Sequence, residues 1–154
     1  MRRRRRNKKL DIAIFLLLLI TTIVYFSYNY TSSESRGIEY YSEALSIYKN
    51  SDYESAYYIF NKVPSGSSMK PSALFRQARC ATNMGKKELA IKKYNRIVRS
   101  SSKSSIVPIS QYNMATLQYE INENKKAKSN FKKIIKKYPT SNYAIAAEYY
   151  LGLI

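Results

Sequence analysis

The sequence predicts an all-α protein in which one apolar helix near the N-terminus is followed by a solenoid of paired helices. Three observations predict this. Residues 10–28 are almost uninterruptedly apolar, and from residue 37 onward small and aromatic residues recur at spacings of 34 and then 37. Only four glycines and four prolines occur in 154 residues, too few for a many-turned β protein and suited to long helices joined by short connections. With 24% charged and 45% hydrophobic residues the chain is apolar enough to fold, and its length leaves room for one modest core.

Arg2 to Arg6, with Lys8 and Lys9, make a basic run at residues 1–9, expected as a cytoplasmic tail. Leu10 to Tyr28 follow it as an expected transmembrane helix, 19 residues long with Asp11 as its sole charge, at the edge. At about 1.5 Å per residue the stretch reaches roughly 28 Å, against a hydrocarbon core of about 30 Å. The segment beyond it, up to residue 49, carries only Arg36 and Lys49 as cations, so the positive-inside rule puts the C-terminal part outside. Tyr25, Phe26, Tyr28 and Tyr30 mark the outer interface, where amphipathic rings settle. A cleaved signal peptide has the same layout but a shorter apolar region ending at a small-x-small site; here the stretch runs into bulky aromatics, which points to a retained anchor. The expected location is therefore the inner or plasma membrane, single-pass, with the N-terminus cytoplasmic. Residues 29–36 are expected to link the anchor to a domain at 37–154.

That domain divides into units 37–70, 71–107 and 108–141 and a partial unit 142–154. Ala44, Ala78 and Ala115 share one position, Ala56, Ala90 and Ala127 a second, and Phe60, Tyr94 and Phe131 a third. Small residues are needed where the two helices of a hairpin cross closely, and an aromatic one turn later fills the space between hairpins. Asn50-Ser-Asp52, Asn83-Met-Gly85 and Asn122-Glu-Asn124 break the chain within units; Pro64-Ser-Gly66, Ser100 to Ser105 and Pro139 to Asn142 break it between them. In these residues the chain resembles the tetratricopeptide repeat (TPR) family, and the resemblance implies a right-handed helical-hairpin solenoid of about three and a half repeats. It departs from the family pattern in lacking Trp, in placing Ser51 and Asn122 at the turn glycine, and in having Ser102 where unit two would close with Pro. Tyr138 to Gly152 looks like the variant in bacterial envelope proteins: outer-membrane assembly, cell-division coordinator and Sec-ancillary TPR proteins, and the helical region of soluble lytic transglycosylases. The last segment is expected to be either the terminal cap of the solenoid or a docking edge.

No histidine occurs, which removes imidazole catalysis and histidine metal sites, and the single Cys80 cannot form an intrachain disulfide and reads as a buried small residue. Glu39 and Glu43 read as the solvated side of a helix rather than a catalytic pair. The chain is expected to be no enzyme and to use no cofactor or metal. In the TPR family the inner groove is lined from the first helix of each unit; the resemblance assigns to it Tyr41, Tyr48, Phe75, Tyr112 and Tyr119, with Arg76, Arg79 and Asn113 beside them. Rigid rings with guanidinium neighbours suit an extended peptide or helix, and equally suit packing between helices. The rings argue against the carboxylate clamp of chaperone-binding members. Beyond residue 30, twenty Lys and Arg outnumber nine Asp and Glu. Lys125, Lys126, Lys128, Lys132, Lys133, Lys136 and Lys137 form one basic face, either merely solvated or a contact for anionic lipid, peptidoglycan or acidic protein. Nucleic acid is not an expected partner, since no binding motif accompanies the charge. The expected function is a membrane-anchored TPR scaffold for protein–protein interaction in the cell envelope; the alternative is a non-catalytic accessory or truncated relative of a lytic transglycosylase in peptidoglycan processing.

Overall fold

A computed structural model describes residues 8–100 and 104–154, with side chains from Leu10 onward; the basic run Arg2 to Arg6 lies outside the described residues. The described chain is helical throughout, as α1 (Lys8–Lys49), α2 (Tyr53–Lys62), α3 (Lys70–Asn83), α4 (Lys87–Ser100), α5 (Val107–Glu120), α6 (Asn124–Lys137) and α7 (Asn142–Leu153). The C-terminal part of α1 pairs with α2, α3 with α4, and α5 with α6; α7 packs on α6 and begins a further pair. Contacts also join α1 to α3 and α5 to α7, which puts these first, or A, helices on the inner side of the curve and the B helices α2, α4 and α6 outside.

The turns inside the units share one backbone device. Ser51, Gly85 and Asn122 have φ of 64°, 71° and 62°, the left-handed conformation that ends a helix with a reversal. Behind Gly85 the Lys86 N–H donates to the Ala81 carbonyl at 2.9 Å, and behind Asn122 the Glu123 N–H donates to Gln118 at 2.8 Å, the same closing bond in two units. The residues that depart from the turn glycine thus keep its conformation. Two helices start on a side-chain cap, α2 where Asp52 accepts from the Ser55 N–H at 3.1 Å and α7 where Ser141 accepts from the Ala144 N–H at 3.2 Å. Pro71 and Pro108 sit in the first turns of α3 and α5, where no donor is needed.

Packing follows the register read from the sequence. All six alanines at the crossings are fully buried, as are Phe60 and Phe131, and Tyr94 is 2% exposed. Each of these B-helix rings meets an A-helix ring at a steep angle: Tyr41 on Phe60 at 5.5 Å, Phe75 on Tyr94 at 5.8 Å and Tyr112 on Phe131 at 6.2 Å between centroids. Phe131 is also stacked on Tyr150 of α7 at 5.0 Å, so the last A helix is held by the aromatic of the preceding unit. Cys80 is fully buried among Ala44, Ala56 and Phe60, and burial pushes its thiol up to about 11.

One feature was hidden from the sequence. Residues 29–36, expected to link two parts, continue α1 without a break, so a single helix of 42 residues, about 63 Å long, runs from the apolar stretch into the first repeat. The loop before α3 is clamped to it. Gly37 is buried, and a Cβ there would lie 2.0 Å from the Ser67 hydroxyl oxygen, so only glycine lets this loop approach. Three residues earlier Glu34 accepts from the Ser68 N–H at 2.8 Å and from the Ser68 hydroxyl. From Leu10 to Tyr30, by contrast, the large apolar side chains of α1 are all exposed, Phe26 by 71%. This helix is long and apolar enough to cross a membrane by length and composition.

Candidate functional site

The inner face is built from A helices because their residues four apart project on one side. On α3, Phe75, Arg79 and Asn83 form such a row; Tyr48 reaches it from α1, and Ile109 and Asn113 from α5. The structure brings five of the eight expected groove residues together here. The Arg76 and Arg79 guanidinium carbons lie 5.5 and 5.8 Å from the centroid of the Tyr48 ring, and the Asn83 amide donates to the Tyr48 hydroxyl at 3.3 Å. Phe75, Arg79, Thr82, Asn83, Tyr94 and Asn113 line a cleft of about 440 Å³.

At the cleft floor the Asn113 amide donates to the Tyr94 hydroxyl at 3.3 Å. Burial pushes the Tyr94 phenol above its ordinary range, with the Asn113 bond working against it. Among the described residues neither Arg76 nor Arg79 is ion-paired, so the cleft offers the Arg79 cation, amide donors and aromatic faces at once, with the Arg76 cation close by over Tyr48. That combination can hold an extended segment bearing an apolar side chain and an acidic group.

The other three expected groove residues lie apart from this cleft. Tyr41 is half-buried against Phe60 at the first repeat. Tyr112 is half-buried among Phe131, Tyr143 and Tyr150, and Tyr119 against Tyr150 at 5.5 Å, so α7 takes up their faces. Asn83, Thr82 and Tyr94 join the cleft unforeseen; the four-residue step from Arg79 to Asn83 was the signal that could have found Asn83. The lysines of the expected basic face, Lys125 to Lys137, are all exposed, and Lys126 pairs with Glu123 at 2.6 Å. Among the described residues no three metal-ligating side chains cluster.

Comparison with known proteins agrees with this geometry. Residues 72–104 and 110–141, the second and third units, match the tetratricopeptide repeat family. No curated protein matches the chain. Among solved structures, the chain is similar in fold to the second TPR domain of the human RPAP3 protein, determined in complex with an HSP70 peptide, with a TM-score of 0.64 and 14% identity over 78% of this chain and 98% of that one. Residues 72–104 and 110–141 therefore read as tetratricopeptide repeats, and the chain shares the helical-hairpin solenoid fold of that domain.

Proposed function

We propose that this repeat protein is a membrane-anchored scaffold that captures an extended segment of another protein in the Tyr48–Arg79–Asn113 cleft, outside the cytoplasm. The observation that carries the binding reading is the pair of guanidinium groups held over one tyrosine beside amide donors, with neither ion-paired among the described residues. The similar RPAP3 domain was solved with a peptide, which supports a peptide-class ligand for this fold. The ligand best suited to the cleft carries an apolar side chain for Phe75 and a carboxylate for Arg79.

The anchored reading is supported by the exposed apolar length of α1. Among the described residues the large apolar side chains from Leu10 to Tyr30 are all exposed, and leaving such a surface in water is unfavourable by about 25 cal/mol per Å². The two threonine hydroxyls within the stretch are satisfied by the helix itself: Thr21 and Thr22 donate to the Leu18 and Leu19 carbonyls at 2.9 and 2.8 Å. The basic run before the span supports an N-terminus in the cytoplasm.

A photo-crosslinking residue at Asn83 in cells making the full chain tests the cleft. Adducts with one or a few proteins are expected, and Arg79→Ala or Tyr48→Ala should reduce them severalfold while helicity is unchanged. Adducts that survive both substitutions refute the cleft as the capture site. A topology reporter fused at Ile154 tests the orientation, and activity of a cytoplasm-only reporter there refutes it.

A further inference from the structure

Short turns make successive helices antiparallel, so direction in this solenoid is set by α1. The A helices run away from the apolar stretch and the B helices run back toward it. The loops between units and the last turns of α2, α4 and α6 therefore lie at the end from which the apolar stretch emerges. Contacts agree: the loop before α3 meets α1 at Ser33, Glu34 and Gly37. Glu34 is six residues beyond Tyr28, about 9 Å along the helix, close to the outer edge of a headgroup layer some 5–8 Å deep.

Charge is distributed unequally between the two ends. At the far end cations are matched by acids: Lys86 with Glu54 at 3.7 Å, Lys87 with Glu120 at 2.9 Å and Lys126 with Glu123 at 2.6 Å. At the near end the last turns of the B helices carry Lys62, Arg99, Lys136 and Lys137. Helix dipoles favour cations there, but they do not account for the residues that face inward between units one and two.

A cleft between α2 and α4, about 680 Å³, is lined by Lys92, Lys93, Arg96 and Arg99. It meets a second one of about 310 Å³, lined by Lys70, Pro71 and three serines of the loop before α3; the two share Arg96 and Ser100. No carboxylate lines either part, although Glu34 bonds Ser68 at the rim. The corresponding groove between α4 and α6 is an internal contrast, because there Glu88 and Glu123 stand among the lysines. Lys93 is directed by its bond to the Gln77 side-chain oxygen at 3.0 Å, and Lys70 by one to the Val63 carbonyl. Partial burial and the nearby Arg96 both hold these two ammonium groups below their ordinary range; Lys93 also lies 5.0 Å from the Tyr57 ring centroid, and among the described residues neither ammonium has a carboxylate partner.

We propose that this cleft binds the phosphate group of an anionic phospholipid in the membrane that holds α1, so that the solenoid is docked on the bilayer as well as tethered to it. The inference rests on the anchored reading above. Lys70, Lys93 and Arg96 converge on one anion, with Lys92 and Arg99 at the mouth facing neighbouring headgroups.

The full chain in neutral detergent, titrated with phosphatidylglycerol or phosphatidylcholine and weighed by native mass spectrometry, tests this. Preferential retention of phosphatidylglycerol is expected. Arg96→Gln with Arg99→Gln, both exposed and outside the core, should weaken that retention about 30-fold, the equivalent of two cations at an anionic surface. Lys86→Gln with Lys87→Gln, at the far end of the helices and ion-paired to Glu54 and Glu120, should leave it unchanged. Equal retention of both lipids, or retention untouched by the arginine substitutions, overturns the proposal. Inorganic phosphate binding at the arginines while phosphatidylglycerol does not identifies a free anion as the ligand and overturns the lipid assignment. Flotation on neutral phosphatidylcholine vesicles reads the anchor by itself: a chain that floats but shows no lipid preference loses only this proposal, and one that does not float loses both.

Discussion

The three left-handed turn residues allow a stability prediction with its magnitude set by geometry. At Gly85 the φ is +71°, and a Cβ added there meets no atom within 4 Å, so Gly85→Ala introduces no clash. Its cost is the left-handed backbone itself, about 1–2 kcal/mol for a residue with a Cβ. Alanine also restricts the unfolded chain, which returns about 0.4–1 kcal/mol. The net expectation is a loss of about 1 kcal/mol, a fall of a few degrees in melting temperature for a domain of this size. The reciprocal changes have the opposite sign. Ser51→Gly, at φ 64°, should gain up to about 1 kcal/mol, and Asn122→Gly, at φ 62°, less, because asparagine tolerates this conformation better than serine. Urea unfolding of the full chain in mild detergent, followed by far-UV circular dichroism, measures all three. A Gly85→Ala chain as stable as the parent, or a Ser51→Gly chain less stable, would refute the argument that one shared left-handed turn closes every unit.

Phe131→Ala should cost about 3–5 kcal/mol, since the ring is fully buried and stacked on Tyr150, and hydrogen exchange in α7 should rise more than in α2. Cys80 should resist thiol reagents at neutral pH in the folded chain and react only on unfolding; its burial contribution to stability is complete below the ordinary thiol range near 9 and lost as pH rises through about 11, which alkaline unfolding of a Cys80→Ala comparison checks. Glu34 is held below its ordinary range by the Ser68 hydrogen bonds, so its stabilising effect is present above the usual carboxylate range and lost as pH falls through the lower folded value. The protection of the Ser68 N–H relative to its intrinsic exchange rate should fall on acidification in the parent and be low at every pH in Glu34→Gln.

Much of this architecture is legible in residue spacing because its causes are local or repetitive. The alanine and aromatic positions recur because each hairpin solves the same packing problem as its neighbour, and Ala44, Ala90 and Phe131 are buried for that reason. The breaks at Asn50-Ser-Asp52, Asn83-Met-Gly85 and Asn122-Glu-Asn124 announce themselves because turns favour Gly, Asn, Asp and Ser, with Ser51, Gly85 and Asn122 as the left-handed residues. The groove was less legible. Tyr48 and Tyr119 are alike as tyrosines near the ends of A helices, but one lies under two guanidinium groups and the other under Tyr150 of α7. Which neighbour covers a ring depends on a helix distant in sequence, and no periodicity records it.

By itself the sequence determined the helices, their pairing, the apolar segment and the excess of positive charge, because hydrophobic period, turn chemistry and composition act within a few residues of one another. Only the tertiary structure decided that α1 runs unbroken into the first repeat, that Gly37 and Glu34 bind it to the loop before α3, and that Lys70 and Lys93 line two clefts that share Arg96. Those outcomes depend on the approach of segments some thirty residues apart, where steric fit and hydrogen bonding act across space.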